Sequence, residues 1–356
     1  MLKPDKSFLK NTALLLTIMT ATVLSLNACD RSAKEFHHSS LYFGTLIDIT
    51  LYDVTEKQAN TAFDKLDADF SYLHSAWSPW EAGSLRRTNS LIETEKSFTA
   101  GPSVLPLLER SYELSNKTDQ LFNPAIGKLI NLWQFHKHDD PNIKPPADEQ
   151  IRALVESNPQ LSDIKMDGIK MRSINPTVSL NFGAFAKGYA IDLEMQQLKN
   201  MGINNAIINT GGDLKAIGSH GNRPWFIAIQ HPRLDTWLAK LETQGEESVF
   251  TSGDYERFYI HKGKRFHHIL DPRTGYPATG TQSVTVLHTD SGLADAAATA
   301  LFVAGPEHWL TIAKQLELKE IMLVDNTGTI HVSPAMHKRL VFNQEIETTI
   351  IITAPL

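Results

Sequence analysis

The chain has 356 residues, with 34 Lys+Arg against 40 Asp+Glu and a formal charge of −6. Its length and 42% hydrophobic content support a real core, as two domains or one large unit, and exclude a disordered or collagen-like chain. The acidic balance argues against a nucleic-acid binder with a basic stripe, and a single cysteine excludes internal disulfides and cysteine-cluster metal sites.

Lys3, Lys6 and Lys10 precede a stretch without charge from Asn11 to Ala28, a length that suits either a signal peptide or an uncleaved anchor. Leu26-Asn27-Ala28-Cys29 resembles a bacterial lipobox, in which a small residue precedes a cysteine that is acylated through its sulfur. Residues 1–28 are thus expected to be a lipoprotein signal peptide and Cys29 the lipidated first residue. A chance thiol beside an uncleaved anchor is the alternative. Asp30 resembles the signal that retains lipoproteins in the inner membrane of Gram-negative cells, which implies a lipid anchor on the periplasmic side. Residues 29–40 read as a polar tether, and residues 41–350 as the folded domain.

Alternation from Leu41 to Leu51 predicts a strand, and Ala59, Ala62, Phe63, Leu66, Phe70 and Leu73 predict an amphipathic helix over Glu56–Ala76. Further helices are expected over Ser103–Lys117, Ala147–Glu156 and Gly183–Asn200, with an exposed Pro-rich loop over Asp139–Pro146. Short strands follow at Ala206–Asn209, Trp225–Gln230, Arg257–Ile260, Phe266–Leu270 and Ser283–His288. A small-residue helix over Ser291–Val303, a second over Pro306–Leu316 and a hairpin around Asn326-Thr327-Gly328 complete the pattern. Strand clusters broken by helices, without regular βαβ alternation, predict an α+β fold.

Four segments carry chemistry. In Leu180 to Asp192, small residues at a strand-to-helix turn point backbone N–H groups at the positive end of a helix dipole. That suits a phosphate, with Lys187 adding charge; a packing device is the alternative. Asn209-Thr210-Gly211-Gly212 is a tight turn without dinucleotide-fingerprint spacing. In a strand His267 and His268 face opposite sides, which disfavours a zinc pair and leaves one as a base or donor. Asp295 and Thr299 stand at i and i+4 on one helix face, a hard oxygen pair suited to Mg²⁺, or else a buried capping Asp. The run from His136 to Asp140 reads as a solvated segment.

Taken in order, these segments resemble the ApbE family of flavin transferases. The resemblance runs through Phe43-Gly44-Thr45, Leu121-Phe122-Asn123-Pro124, Ala184-Phe185-Ala186-Lys187-Gly188, Asn209-Thr210-Gly211-Gly212, Thr251-Ser252-Gly253-Asp254-Tyr255, His268-Ile269-Leu270-Asp271-Pro272 and Ala294-Asp295 through Thr299. It implies an α+β fold of mixed sheets and flanking helices, with two subdomains around a flavin cleft. The implied activity is Mg²⁺-dependent transfer of FMN from FAD to a threonine hydroxyl of an acceptor protein, with release of AMP. Acceptors in that family are subunits of sodium-pumping quinone reductase and of the RNF complex. The resemblance places FAD against Phe43, Trp77, Leu121, Phe122, Asn123, Asn181, Lys187 and Ile269. It places Mg²⁺ on the Ala184 carbonyl, Asp295 and Thr299, and makes His268 the candidate for activating the incoming hydroxyl. The family often carries Asp where this chain has Asn123 and Asn181, and Met where it has Phe43, so two negative charges are missing here. The same residues also allow hydrolysis of FAD to FMN and AMP, or FAD binding without chemistry.

Overall fold

The computed structural model describes residues 34–137, 140 and 142–356. The expected signal peptide, Cys29 with its lipidation, and His138 and Asp139 of the polar run lie outside the described residues. A hairpin opens the fold: β1 (Glu35–Tyr42) and β2 (Thr45–Tyr52) pair from Glu35↔Tyr52 to Tyr42↔Thr45. Phe43 and Gly44 turn the chain with φ of 54° and 73°, a two-residue turn whose twist suits an antiparallel pair. Two expectations change as a result. Residues 35–40 are strand rather than tether, and the single strand expected over 41–51 is broken at Phe43. β1 is an edge strand with no fully buried residue, so its polar side chains conceal the alternation.

The other strands are β3 (Phe98–Thr99), β4 (Ile164–Asp167), β5 (Lys170–Ser173), β6 (Ala206–Thr210), β7 (Asp213–Ile217), β8 (Phe226–Gln230) and β9 (Trp237–Glu242). They continue with β10 (Glu247–Gly253), β11 (Phe258–His261), β12 (Lys264–His267), β13 (Thr281–His288), β14 (Glu320–Asp325), β15 (Ile330–Val332), β16 (Val341–Phe342) and β17 (Ile350–Ile352). Nine of them form one sheet in the order β1-β2-β6-β7-β10-β13-β14-β15-β17. Every pairing in it is antiparallel except β15 with β17.

Side chains alternate across a strand, and that divides the core. Ile208, Phe250, Val284, Val286, Ile321 and Leu323 face a helical layer. Leu214, Ala216, Val249, Leu287, Met322 and Val324 face the small β16-β9-β8 sheet. The helical layer is built from α1 (Glu56–Trp77), α2 (Ser84–Ile92), α3 (Leu105–Lys117), and, after α4 (Gly127–Trp133) and α5 (Asp148–Glu156), α6 (Ala186–Asn200) and α7 (Ser291–Gln315). Helix α7 is interrupted at Gly305 (φ 72°, ψ 177°) ahead of Pro306, where the sequence had two helices. A third apolar cluster joins α4 and α5 to the β11–β12 hairpin through Trp133, Phe135, Ile151, Tyr259 and Phe266.

The α+β class is the one expected. Strand β10 was not legible as a strand, because Ser248, Thr251 and Ser252 break its apolar run. Each of these hydroxyls is paired: Ser248 with Ser291 at 2.8 Å, Thr251 with Thr285 at 2.9 Å and Ser252 with Thr299 at 3.1 Å. Buried hydroxyls cost little once so satisfied, and they tie the strand to β13 and α7.

Glu194 on α6 is 4% exposed and its Oε2 has no hydrogen-bond partner among the described residues. Burial, with the charge of Asp69 adding to it and Lys65 opposing it, pushes its pKa up to about 8. The unfolded chain releases this proton near the ordinary Glu value of about 4.3. The contribution to stability is therefore full below that pH and is lost as pH rises to about 8. Glu194→Gln should leave thermal stability nearly unchanged at pH 4.5 and raise it at pH 8.5 by about 5 kcal/mol. Melting curves across this range check it; a difference that does not vary with pH would refute the assignment.

Candidate active site at the crossing of two helices

Helices α6 and α7 meet at Gly188, where an added Cβ would run into the carbonyl oxygen of Ser291 and the side chain of Asp295. Only glycine permits that approach. Gly292 repeats the device one turn earlier on α7, against the ring of Phe185. The contact brings the Asp295 carboxylate onto the Gly188 N–H, with Oδ2 accepting at 3.0 Å. The start of α7 is held from α6 as well: Asp192 Oδ2 accepts from Ser291 N (2.8 Å) and Gly292 N (3.1 Å). Its other oxygen accepts from Lys215 Nζ at 2.7 Å. Asp290 caps the helix locally, with Oδ1 accepting from Leu293 N at 2.7 Å.

Asp295 is 5% exposed. Burial pushes its pKa up to about 7, opposed by Lys187, and Asp213 adds to the rise. Lys187, on the first turn of α6, forms an ion pair with Asp213. Burial pulls its pKa down, but the carboxylates of Asp213 and Asp295 outweigh this and hold it above normal. Asp213 is itself buried, and its second oxygen accepts from Thr251 N at 2.8 Å. At the α6 start the Gly188 N–H is occupied by Asp295, and Lys187 is paired with Asp213.

Thr299 lies one turn beyond Asp295 on α7, its hydroxyl 3.1 Å from that of Ser252. Ala184 is half-buried immediately ahead of α6. The helix therefore begins at Ala186 rather than Gly183, because Asn181 Oδ1 accepts from Gly183 N (2.9 Å) and the Phe182 carbonyl accepts from Ala186 N (2.7 Å). Asn181 N donates to the Pro124 carbonyl at 2.8 Å, which lays the Asn181 segment beside the Asn123 segment. Asn123 donates from Nδ2 to the Pro159 carbonyl (3.0 Å) and accepts at Oδ1 from Ala125 N (2.9 Å). An Asp at 123 could not make the first of these bonds.

An aromatic line connects the remaining expected flavin contacts. Phe43 lies beside Trp77 with ring centroids 6.4 Å apart, Trp77 beside Tyr189 at 5.9 Å, Tyr189 beside Phe185 at 5.4 Å and Phe185 beside Phe122 at 6.3 Å. Trp77 is buried and donates from Nε1 to the Ser103 carbonyl at 2.9 Å. Phe43 and Tyr189 are half-buried, while Leu121, Phe122 and Ile269 are buried.

His267 and His268 part as their alternation requires. His267 is buried against Phe302 with Nε2 at 3.0 Å from the Ala278 carbonyl. The His268 Nδ1 is buried without a partner among the described residues. Burial first, then the charges of Arg257, His267 and Lys187, hold the His268 pKa well below normal. These surroundings hold the imidazole in its neutral form. No cluster of three or more His, Cys, Asp or Glu side chains occurs among the described residues. Asp295, Thr299 and the Ala184 carbonyl offer hard oxygen donors.

Sequence reasoning missed Asp213 and Arg257. Asp213 follows a Gly-Gly pair and was passed over with the turn, although a lone acid entering the apolar strand Asp213–Ile217 was a signal. Arg257 was absorbed into an expected strand; it stands just before β11.

The match to known proteins agrees with this geometry. Residues 43–323 match the model of the ApbE family. A FAD:protein FMN transferase of Rhodobacter capsulatus is 38% identical over 86% of this chain and 59% of its own, so the present chain spans about three fifths of that relative. One from Vibrio cholerae is 27% identical over 86% of this chain and 92% of its own. The crystal structure of an ApbE protein from Thermotoga maritima superposes with a TM-score of 0.79 at 26% identity, over 86% of this chain and 99% of its own. With the Asp295–Gly188 crossing and the Lys187–Asp213 pair inside the matched region, this chain belongs to the ApbE family.

Proposed function

We propose that this protein transfers FMN from FAD to a threonine hydroxyl of an acceptor protein. Membership of a family whose relatives are named FAD:protein FMN transferases supports flavin transfer. The observation that carries the reading is the buried Asp295 carboxylate, held by the Gly188 N–H and under the charge of Lys187. In the reaction the hydroxyl oxygen bonds to the phosphorus bearing riboflavin. The bond from that phosphorus to the bridging oxygen breaks, and AMP leaves with the bridging oxygen. His268 takes the hydroxyl proton, with the unpartnered Nδ1 as the accepting atom. Phe43 and Tyr189 offer partly open aromatic surface to the flavin ring.

The donor set fits magnesium. Asp295 is a buried carboxyl whose ionised form lacks an ion pair of its own, and Thr299 and the Ala184 carbonyl add oxygen ligands. When bound, the ion would supply positive charge to the phosphate oxygens and ease departure of AMP. Acceptors of the quinone-reductase and RNF type suit the reading, as does a lipid anchor at Cys29 that holds the enzyme on the periplasmic face of the inner membrane.

Three measurements test these statements. A form starting at Asp30, incubated with FAD, Mg²⁺ and a threonine-bearing acceptor domain, should add the mass of FMN to the acceptor and lose this activity on chelation. AMP and free FMN without acceptor labelling would instead indicate hydrolysis, and intact FAD a binding protein. Separately, Mg²⁺ at a hundredfold excess over its Kd should stabilise the wild type by about 2.7 kcal/mol. Asp295→Asn should remain folded, lose transfer and lose this thermal shift; a persisting shift would remove Asp295 from the ion. In cells, Ala28→Arg should leave an unprocessed precursor without lipid, and normal acylation of that variant would refute the Cys29 assignment.

A further inference from the structure

The charges of the cleft do not all find partners within the protein. Lys187 is neutralised by Asp213. Arg233 and Arg265, farther along, both engage Asp254. Arg257 differs: its guanidinium makes no hydrogen bond or ion pair among the described residues.

Its placement is fixed by the backbone. β11 and β12 pair with Phe258 opposite His267. The His268 N–H continues the ladder by donating to the Arg257 carbonyl at 3.0 Å. Arg257 and His268 are therefore directly opposed residues, whose side chains leave the same face of the hairpin. Two residues further on, that face carries Tyr259 and Phe266 into the Trp133 cluster, which anchors it. Arg257 is open to solvent, yet enough protein surrounds the guanidinium that desolvation pulls its pKa below normal against the charges of Glu256 and Asp295. Its charge is felt in turn by Lys187, His268 and His136. An exposed arginine without a partner of its own among the described residues thus stands across the strand pair from His268, and its charge reaches Asp295.

We propose that Arg257 binds the pyrophosphate of the dinucleotide, through a charge-assisted pair of hydrogen bonds from its guanidinium to phosphate oxygens. The assignment rests on the FAD-dependent reading above. A planar guanidinium with two free donors matches a phosphate edge, which a lysine ammonium does not. It also explains how the site holds a polyanion when its other near cation is occupied by Asp213. Held there, the guanidinium offsets the charge gathered on the departing phosphate and leaves His268 free to handle the proton.

The test compares ligands with and without phosphate on the purified Asp30 form, by flavin fluorescence titration in the presence and absence of Mg²⁺. Arg257→Ala should weaken FAD binding by about 10- to 100-fold, the size of a charge-assisted contact. Riboflavin binding and the melting temperature should stay at wild-type values, and ADP should compete more weakly against the variant. Arg257→Lys should recover only part of the loss. Equal weakening of FAD and riboflavin, or a fall in melting temperature, would show a structural role and overturn the proposal. FAD binding unchanged in Arg257→Ala, with a wild type that transfers FMN, would overturn it alone. A wild type that neither binds FAD nor labels an acceptor would overturn the functional reading and this proposal together.

Discussion

The close approach of α6 and α7 is the constraint on which the site depends. Gly188 and Gly292 remove the side chains that would keep the helices apart, and Asp192 reaches from one helix to cap the other. Two helices so joined cannot slide by a turn without unpairing buried N–H groups, each costing about 1–3 kcal/mol. That rigidity fixes Asp295 at the Gly188 N–H and, through the i, i+4 spacing, Thr299 beside it. Helix–helix packing and site geometry are here a single fact.

Around that crossing the electrostatics are unbalanced in a directed way. A carboxylate buried without its own cation is expensive in a low-dielectric interior, which is why Asp295 holds its proton up to about pH 7. Lys187 eases this only in part, since it is shared with Asp213. The polar strand β10 serves the same centre. Its Thr251 N–H holds Asp213 and its Ser252 hydroxyl meets Thr299, so residues that weaken the apolar pattern of the strand bind the site to the sheet. A region tuned in this way has the features expected of a catalytic cleft rather than of a core.

The two asparagines that replace familiar aspartates show how local context decides what a substitution means. Asn123 uses both of its polar atoms to hold the backbone at Pro159 and Ala125. Asn181 accepts from Gly183 and so shapes the turn that leads into α6. Both residues order the loops beside the site. The charge they lack is not needed for that work.

Much of this was legible in the order of residues. Helical periodicity marked α1 and a run of small residues marked α7, the Gly305-Pro306 break was plain, and Asp295 and Thr299 declared a common face because helix geometry is local. The α+β class followed from the succession of elements. What the sequence could not supply was any pairing between distant segments. Strand β1 hid behind polar edge residues, β10 behind its hydroxyls, and Asp213 and Arg257 behind ordinary neighbours. Lys187 read as a free charge until the sheet brought Asp213 to it. Local spacing determined which residues could share a face; only the tertiary structure decided which charges were matched, because neutralisation depends on separation in space and not along the chain.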